Sequence, residues 1–315
     1  MSIFERLHKG QAIHKQQEAE RFGVNVKTIQ RDVEDLRKYL ADTNGGEVSQ
    51  YIVFNRKDNA YVLQWESRNW LTNKEILAVA RVLLESRAFA KAEMEELLEK
   101  IVLQCAPRES KLIQEIIRNE RFYYRPLQHG QPLLQRIWDL SQAVREQRLV
   151  ELEYQRVQST ERVKRTVEPL GVIFAEYYFY LIAAIHDMNY EFPAIYRLDR
   201  IRGFHILDQH FHVPYTARFE EGEFRKRVQF MKAGRILKIR FKFWGDSLEA
   251  VLDRLPTASV ISNDGKVAVV EAEVFGKGIK MWLLSQAQYL EVLGPPEFRE
   301  EMRETVRKMM ENYGG

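Results

Sequence analysis

The hydrophobic pattern of residues 16–40 predicts two helices joined by a tight turn. The first helix, near Gln16–Phe22, is followed by Gly23, which readily adopts a positive φ, and Asn25 can cap the second helix. At about 100° per residue, the apolar positions of the second helix fall on one face. These positions are Val26, Ile29, Val33, Leu36 and Leu40. We expect this face to pack inward.

The outward face of the second predicted helix carries side chains suited to a DNA groove. Besides the capping Asn25, the candidates in its first two turns are Lys27, Thr28, Gln30 and Arg31. Glu34 and Asp35 follow and repel phosphate, so base contacts are expected only in those two turns. Two-helix corners with a glycine also occur in bundles that never touch nucleic acid, so the corner alone leaves both interpretations open.

Two β-rich runs after this helix predict a hairpin. Val48–Phe54 and Ala60–Leu63 flank the polar loop Asn55–Asn59, whose tip carries Arg56 and Lys57. Such a wing can lie along a neighbouring phosphate strand. The basic residues between positions 6 and 31 are Arg6, Lys9, Lys15, Arg21, Lys27 and Arg31, against the acids Glu18 and Glu20. With the stretch FGVNVKTIQRDVEDL, residues 1–66 resemble the winged helix-turn-helix of bacterial regulators.

From Leu71 to about Arg121 the pattern changes to amphipathic helices. Thr72 can cap a helix with Glu75 at the capping-box position. A later apolar stripe consists of Met94, Leu97, Leu98, Ile101 and Val102. These helices can pack within the chain or against a second copy. Because a lone DNA-reading helix rarely has enough affinity, we expect a homodimer.

Strand-like runs dominate after a boundary marked by Pro126, Gly130 and Pro132. A helix near Leu133–Gln147 leads into them. The predicted strands are Leu149–Gln155, Arg162–Val167, Gly171–Phe174, Phe179–His186 and Ala194–Arg200. A small, curved β domain is the expected structure.

Two motifs of this β region carry a second resemblance. VEPLGVIFAEYYFYLIAAI and IYRLDRIRGFHIL are similar to the WYL domain, an Sm-like small β-barrel named for a Trp-Tyr-Leu run. Here the run is Phe179-Tyr180-Leu181, and the later arginine pair is Arg197 and Arg200. The family's C-terminal extension is matched by a strand at Ile236–Phe243, a helix near Asp246–Leu255, a strand pair around Asn263–Lys266, Trp282 and a last helix from Glu297. The resemblance implies a ligand-responsive transcription factor, usually dimeric, whose β domain senses nucleic acid or a nucleotide-like effector.

Aromatic and basic side chains of the β domain supply stacking surfaces and phosphate donors for single-stranded nucleic acid or a nucleotide. The candidates are Tyr178, Tyr180, Arg165, Arg197 and Arg200. Strand alternation puts Arg197 and Arg200 on opposite faces, so they share a pocket only if the strand bends. Alternatively, these arginines are solvated and paired with Asp199 and Glu168, and the tyrosines belong to the core.

Composition narrows the class of protein. A chain of 315 residues, 45% of them apolar, can hold two or three domains. Its formal charge of +3 argues against general coating of nucleic acid. The single Cys105 excludes a disulfide framework and a thiolate zinc site, and it indicates a reducing compartment. No apolar stretch approaches the roughly 18–20 residues that cross a bilayer, so we expect a cytoplasmic protein without a membrane partner.

Catalytic motifs are scarce. His205, His210 and His212 lie close together, but exposed imidazoles on a strand edge are a simpler interpretation than a metal site. The GKG at Gly276–Gly278 lacks the flanking pattern of a phosphate loop and is interpreted as a turn. We therefore expect no enzyme activity, no cofactor and no metal.

The predicted architecture is an α+β multidomain protein. A winged helix-turn-helix occupies residues 1–66, a helical linker and dimerisation region 67–125, the Sm-like small β-barrel 126–212, and a linker with a C-terminal α/β extension domain 213–315. The predicted function is a ligand-responsive transcription regulator, with repression favoured, whose homodimer binds an inverted-repeat operator in double-stranded DNA. The rival is an accessory nucleic-acid-binding protein that modulates a nuclease or defence effector through its β domain. A hydrolase built on the histidines is remote.

Overall fold

The computed structural model describes residues 2–43, 48–67, 71–104, 107–156, 161–188, 192–214, 216, 218–232 and 234–314. Cys105 lies outside these residues. The chain divides into two units, Met1–Gly130 and Gln131–Gly315, each with hydrophobic cores of its own.

The first unit begins with helices followed by a β hairpin. They are α1 (Ile3–His8), α2 (Lys15–Phe22), α3 (Val26–Thr43), β1 (Val48–Asn55) and β2 (Ala60–Ser67). Ser2 and Glu5 form a capping box at the start of α1, and Gly23 ends α2 with a φ of 63°. A shared core holds helices and hairpin together through Leu7, Ile13, Ile29, Val33, Ile52 and Tyr61.

The remainder of the first unit is helical, as the amphipathic pattern predicted. Its helices are α4 (Asn73–Ser86), α5 (Lys91–Val102) and α6 (Pro107–Phe122). The capping box before α4 is confirmed, because Thr72 Oγ1 accepts from the Glu75 amide at 3.4 Å and Glu75 Oε2 accepts from the Thr72 amide at 2.6 Å. Tyr124, which follows α6, donates its phenol hydrogen to the carbonyl of Phe89, between α4 and α5, at 2.6 Å.

The second unit begins with a helix and an antiparallel sheet. They comprise α7 (Leu134–Glu146), β3 (Arg148–Gln155), β4 (Arg162–Ala175), β5 (Tyr178–Ile185), β6 (Ala194–Arg197) and β7 (Ile201–His210). The strand order is β6-β5-β4-β3-β7, so β7 returns across the sheet to pair with β3.

Two predicted strands of this sheet are one continuous strand. Arg162–Val167 and Gly171–Phe174 both belong to β4, whose pairing with β5 shifts register between Pro169 and Gly171. A bulge tolerates proline because one residue of the bulged strand needs no ladder hydrogen bond. The strand therefore continues through a shift of register between Pro169 and Gly171, where the sequence indicated a break.

The strand predicted over Ala194–Arg200 ends early. After β6, Leu198–Arg200 forms a 3₁₀ turn that leads into β7. Arg136 of α7 orders this turn, since its Nη1 donates to the carbonyls of Leu198 at 3.1 Å and Ile201 at 2.7 Å. These bonds tie α7 to the 3₁₀ turn and to the first residue of β7.

The two faces of the sheet pack into different cores. The face covered by α7 contributes Val150, Leu152, Val167, Leu181 and Ala183. The opposite face packs Ile173, Tyr180 and Ile182 with Phe224 and Phe275. Phe224 belongs to α8 (Glu221–Arg227), and Phe275 ends a strand of the C-terminal sheet. The second core therefore joins the β domain to the region that follows it.

The C-terminal region is an antiparallel sheet with helices on one face. Its elements are β8 (Ile236–Phe243), α9 (Leu248–Arg254), β9 (Ser259–Asn263), β10 (Ala268–Phe275), α10 (Gly276–Ser285), β11 (Leu290–Gly294) and α11 (Pro296–Glu311). The strand order is β11-β8-β10-β9. Side chains from α9, α10 and α11 share one core with the sheet, including Val251, Trp282 and Phe298.

The predicted turn at Gly276–Gly278 is wrong, because these residues begin α10. A Cβ atom added to Gly278 would lie 1.9 Å from the carbonyl oxygen of Gln229. Only glycine therefore allows α10 to approach this backbone so closely. The glycines serve helix packing.

Replacing Gly278 by alanine should destabilise the protein. The clash with the Gln229 carbonyl forces the backbone to shift, at a cost of about 1–3 kcal/mol or more. Gly222→Ala is the matched control, since Gly222 lies in a helix with no atom within 4 Å of the added Cβ. Urea unfolding of both variants measures the effect. Equal urea midpoints for the two variants would show that α10 can move away from the Gln229 carbonyl without loss of stability.

Candidate nucleic-acid interface

Helix α3 presents its polar candidates to solvent. Lys27, Gln30 and Arg31 are exposed, and their side chains make no hydrogen bond or ion pair with another residue of the described chain. Thr28 is half-buried. The predicted cap is confirmed, because Asn25 Oδ1 accepts from the Lys27 amide at 3.0 Å. The exposed side chains can therefore meet phosphates or base edges.

The inward face of α3 agrees with the prediction except at its first member. Ile29 and Val33 are buried in the core. Val26, expected to pack inward, is 37% exposed. Phe22 and Val24, which precede the helix, are also exposed, so three apolar side chains near the start of α3 lie at the surface.

Arg6 does not belong to the available basic surface. Its Nη1 lies 2.6 and 2.7 Å from the two carboxylate oxygens of Glu18, and both side chains are largely buried. Arg21 approaches the same carboxylate at 4.0 Å. The basic surplus counted along the sequence therefore overstates the charge that a ligand would meet.

The tip of the β1–β2 hairpin exposes both predicted basic residues, Arg56 and Lys57. Asn55 Oδ1 accepts from the amides of Lys57 at 3.0 Å and Asp58 at 3.4 Å, and Asn55 Nδ2 donates to Asp58 Oδ2 at 2.6 Å. Asn59 closes the turn with a φ of 48°. This side-chain network fixes the turn from which the two basic residues project.

Arg197 is held in a stacked and ion-paired cluster. Its Nε and Nη2 donate to the carboxylate oxygens of Asp199 at 3.0 and 2.8 Å. Its guanidinium carbon lies 3.4 Å from the centre of the Tyr178 ring. A bidentate pair fixes the plane of the guanidinium, and Asp199 is buried. Nη1 has no hydrogen-bond partner within the described residues, so it is the donor left for a ligand.

Tyr180 lies directly opposite Arg197 in the β5–β6 ladder, on the same face as Tyr178. Burial raises the pKa of Tyr180 to about 12, although the charge of Arg197 acts in the opposite direction. The phenol is therefore neutral at physiological pH. Tyr180 packs in the core beneath the cluster, while Tyr178 is only partly buried.

The other two candidate arginines are not joined to this cluster. Arg200 lies in the 3₁₀ turn, half-buried, and bonds to no other described residue. Arg165 stands opposite Leu152 and on the same face as Val167, which is the face covered by α7. Of the predicted set, the structure brings together Tyr178, Tyr180 and Arg197.

Sequence reasoning missed Tyr154, whose hydroxyl accepts from the Arg197 amide at 3.4 Å. Tyr154 lies on β3 and Arg197 on β6, with β4 and β5 between them. A flat sheet would separate these strands by about 14 Å, so the sheet must curl to bring them together. The sequence offers no signal for this contact, because it depends on that curvature.

The histidine cluster does not form a metal site in the part of the chain that is described. Among those residues, no group of three or more His, Cys, Asp or Glu side chains is placed to hold an ion. His205 and His210 lie exposed on β7. Likewise, no helix formed by the described residues is long and apolar enough to cross a membrane.

Two family models match the second unit. Residues 136–206 match the WYL domain, and residues 235–310 match the WCX domain. The second unit therefore contains a WYL domain. More particularly, it carries a WCX domain after the WYL domain.

Comparison with whole proteins adds distant likenesses. No curated protein matches the chain. Proteasome accessory factor B/C of Arthrobacter aurescens is 16% identical, over 96% of this chain and 46% of that chain, with a TM-score of 0.32. This chain thus spans less than half of that structure's length. A CRISPR Cas-related protein is 14% identical, over 92% of this chain and 74% of that chain, with a TM-score of 0.38.

The raised pKa of Tyr180 should make folding stability fall in alkali. The unfolded phenol ionises near pH 10, whereas the folded phenol ionises near 12. Stability from this group is complete below pH 10 and is lost as pH rises from 10 towards 12. Tyr180→Phe lacks the ionising group, so its unfolding free energy should fall less over that range. If the unfolding free energies of the two proteins fall equally over that range, the raised pKa of Tyr180 is contradicted.

Proposed function

We propose that the protein is a ligand-responsive transcription regulator that reads duplex DNA with α3 and senses an effector with its WYL domain. The observation that carries the proposal is the set of exposed, unpartnered polar side chains on the capped helix α3. The presence of a WYL and a WCX domain in the same chain supports it.

The N-terminal elements are proposed to act as a winged helix-turn-helix. The first two turns of α3 enter the major groove, where Arg31 can pair bidentately with guanine and Gln30 with adenine. Arg56 and Lys57 on the hairpin contact a neighbouring phosphate strand. Lys27 supplies a further phosphate or base contact. In this arrangement the hairpin contacts position the protein on the DNA, and the α3 contacts read the base sequence.

The operator is proposed to be an inverted repeat bound by a homodimer. Two reading helices related by a two-fold axis meet successive major grooves about 34 Å apart. Half-sites should then be spaced by about one helical turn of DNA or a multiple of it. Bound in this way, the protein would exclude other proteins from the operator, and we favour repression as its role.

The effector is proposed to be an anionic, base-containing molecule such as a short single-stranded nucleic acid. The partly buried Tyr178 ring offers a stacking surface, and the free Nη1 of Arg197 can donate to phosphate. Tyr180 lies under this surface in the core shared with Phe224 and Phe275. An effector that binds one arrangement of this core more tightly would shift the population towards it.

Removing Arg31 should weaken DNA binding. Arg31→Ala loses a base or phosphate contact, at an expected cost of about 1–3 kcal/mol for a base contact. Arg118→Ala is the matched control, because Arg118 is exposed on α6 and belongs neither to α3 nor to the hairpin. Fluorescence anisotropy with a duplex selected from a random pool measures both affinities. If Arg31→Ala and Lys27→Ala proteins bind like the control, duplex binding lies elsewhere, as in an accessory protein that uses its β domain.

Exchanging Arg197 for lysine should abolish the effector response but retain operator binding. Lysine can keep an ion pair with the buried Asp199, while it loses the planar, stacked fork. Arg202→Lys is the control, since Arg202 is exposed on β7 and bonds to Gln155. Operator affinity is titrated with and without a short single-stranded oligonucleotide. An unchanged oligonucleotide effect in Arg197→Lys would place the effector site elsewhere.

A further inference from the structure

We propose that a cavity between the WYL and WCX domains binds a small aromatic anion, whose carboxylate or phosphate group pairs with Arg254. All residues that line the cavity belong to the second unit. The site is separate from α3 and from the cluster around Arg197. The inference therefore goes beyond the proposed function and does not depend on it.

The cavity has a volume of about 450 Å³ and is formed by four parts of the second unit. The lining includes Glu176 from the β4–β5 turn, Phe230 from the segment between α8 and β8, Ala250 and Arg254 from α9, and Trp282 and Gln286 from α10 and the residue after it. Pockets of roughly 300–1,000 Å³ are typical of small-molecule sites. The cavity is therefore large enough for a single-ring molecule with a short acidic arm.

Arg254 is the group that can bind an anion. Its Nη2 donates to Glu176 Oε1 at 2.8 Å. Its Nη1 forms no hydrogen bond with another described residue, and its Nε is buried without a partner. A buried donor without an acceptor is unfavourable, so the hydrogen bonding of this guanidinium is incomplete. The side chain is 37% exposed, and a ligand in the cavity can therefore reach it.

The chemistry of this guanidinium defines the polar part of the ligand. Arginine presents a planar set of N–H donors that matches the oxygens of a carboxylate or a phosphate. The single bond to Glu176 leaves donors of Arg254 for a second acceptor. An anionic acceptor forms a stronger hydrogen bond with them than a neutral one does.

The aromatic walls define the rest of the ligand. Phe230 is 37% exposed, and the guanidinium carbon of Arg254 lies 5.5 Å from the centre of its ring. Trp282 is buried and packs against Phe241 on the side of the sheet. Aromatic side chains interact favourably with other rings beyond the area that they bury. These walls favour a ligand with an aromatic ring over a bare inorganic anion.

The backbone that presents Phe230 is strained. Phe230 and Met231 have φ values of 50° and 48°, a conformation that bulky residues rarely adopt. Such strain persists only where the surrounding structure enforces it, and it clusters at ligand sites. Here the carbonyl of Gln229 lies against Gly278, and Met231 is buried in the core that contains Tyr180. The packing on both sides therefore holds Phe230 at the cavity.

The position of the cavity gives a bound ligand contacts with both domains. Glu176 lies within the WYL domain, whereas Arg254 and Trp282 lie within the WCX domain. A ligand that binds the folded protein stabilises the arrangement to which it binds. Occupancy should therefore stabilise the contact between these two domains.

Nuclear magnetic resonance titration of the full chain tests the ligand chemistry. The probes are 3-phenylpropionate and phenyl phosphate, and their uncharged counterpart is 3-phenylpropionamide. At least one acid should bind at a single site, at least about tenfold more tightly than the amide. The tighter acid identifies which anionic group the site prefers. Equal affinity for the amide, or no binding of either acid at tens of millimolar, would overturn the proposal.

Variants of the cavity test its location. Arg254→Gln should weaken binding of the tighter acid at least about tenfold. Arg240→Gln is the matched control, because Arg240 is an exposed arginine of the same domain that also pairs with a glutamate, Glu271, at 2.8 Å. Ala250→Phe, at an exposed position of α9, should block the cavity without a change of charge. Near-ultraviolet circular dichroism verifies folding. Wild-type affinity in either Arg254→Gln or Ala250→Phe would show that the probe binds elsewhere.

The indole N–H signals report where the ring lies. The signals of Trp282 and Trp244 are assigned from Trp282→Phe and Trp244→Phe proteins. The probe should shift the signal of Trp282, while that of Trp244, which is 40% exposed outside the cavity, serves as the internal control. Arg197→Lys should bind the probe as the wild type does. Loss of binding in that variant would place the probe in the effector site of the proposed function and would refute the cavity site.

Discussion

The ion pair between Arg197 and Asp199 governs the geometry of the β domain. A buried carboxylate without a partner costs several kcal/mol, and Arg197, two residues earlier in the chain, is the bidentate donor that pairs with Asp199. The 3₁₀ turn after β6 supplies that geometry by turning the chain back on itself. The same turn leads into β7, which crosses the sheet and pairs with β3. The ion pair therefore lies where the chain passes from β6 to β7, and it orients the guanidinium that stacks on Tyr178.

Much of the fold followed from periodicity, and the exceptions have physical causes. The bounds of β8 were predicted from the sequence, because its inward and outward residues alternate without interruption. The continuity of β4 was missed, since a proline and a glycine two residues apart usually end a strand, whereas here Pro169 and Gly171 flank a shift of register within it. The start of α10 was missed because Gly278 is required by a neighbouring backbone, which no local pattern reveals.

The candidate site was predictable as a set of residue types but not as an arrangement. An aromatic run and an arginine-bearing strand indicated Tyr178, Tyr180 and Arg197, which do meet. Strand parity could not place Arg200, because its segment is not a strand. Strand parity could have placed Arg165 on the opposite face from the cluster only if the pairing of β3 with β4 had been known. The contact between Tyr154 and Arg197 could not be predicted, because it depends on the curl of the whole sheet.

The buried pair of Arg6 and Glu18 bears on how salt affects this protein. Added ions screen exposed charges strongly, but they reach a buried pair much less. The ion pair between Arg6 of α1 and Glu18 of α2 should therefore persist at ionic strengths that weaken contacts between exposed basic residues and phosphate. If the proposed duplex binding is found, its loss with added salt would then reflect counterion release at the DNA, while the N-terminal helices stay folded.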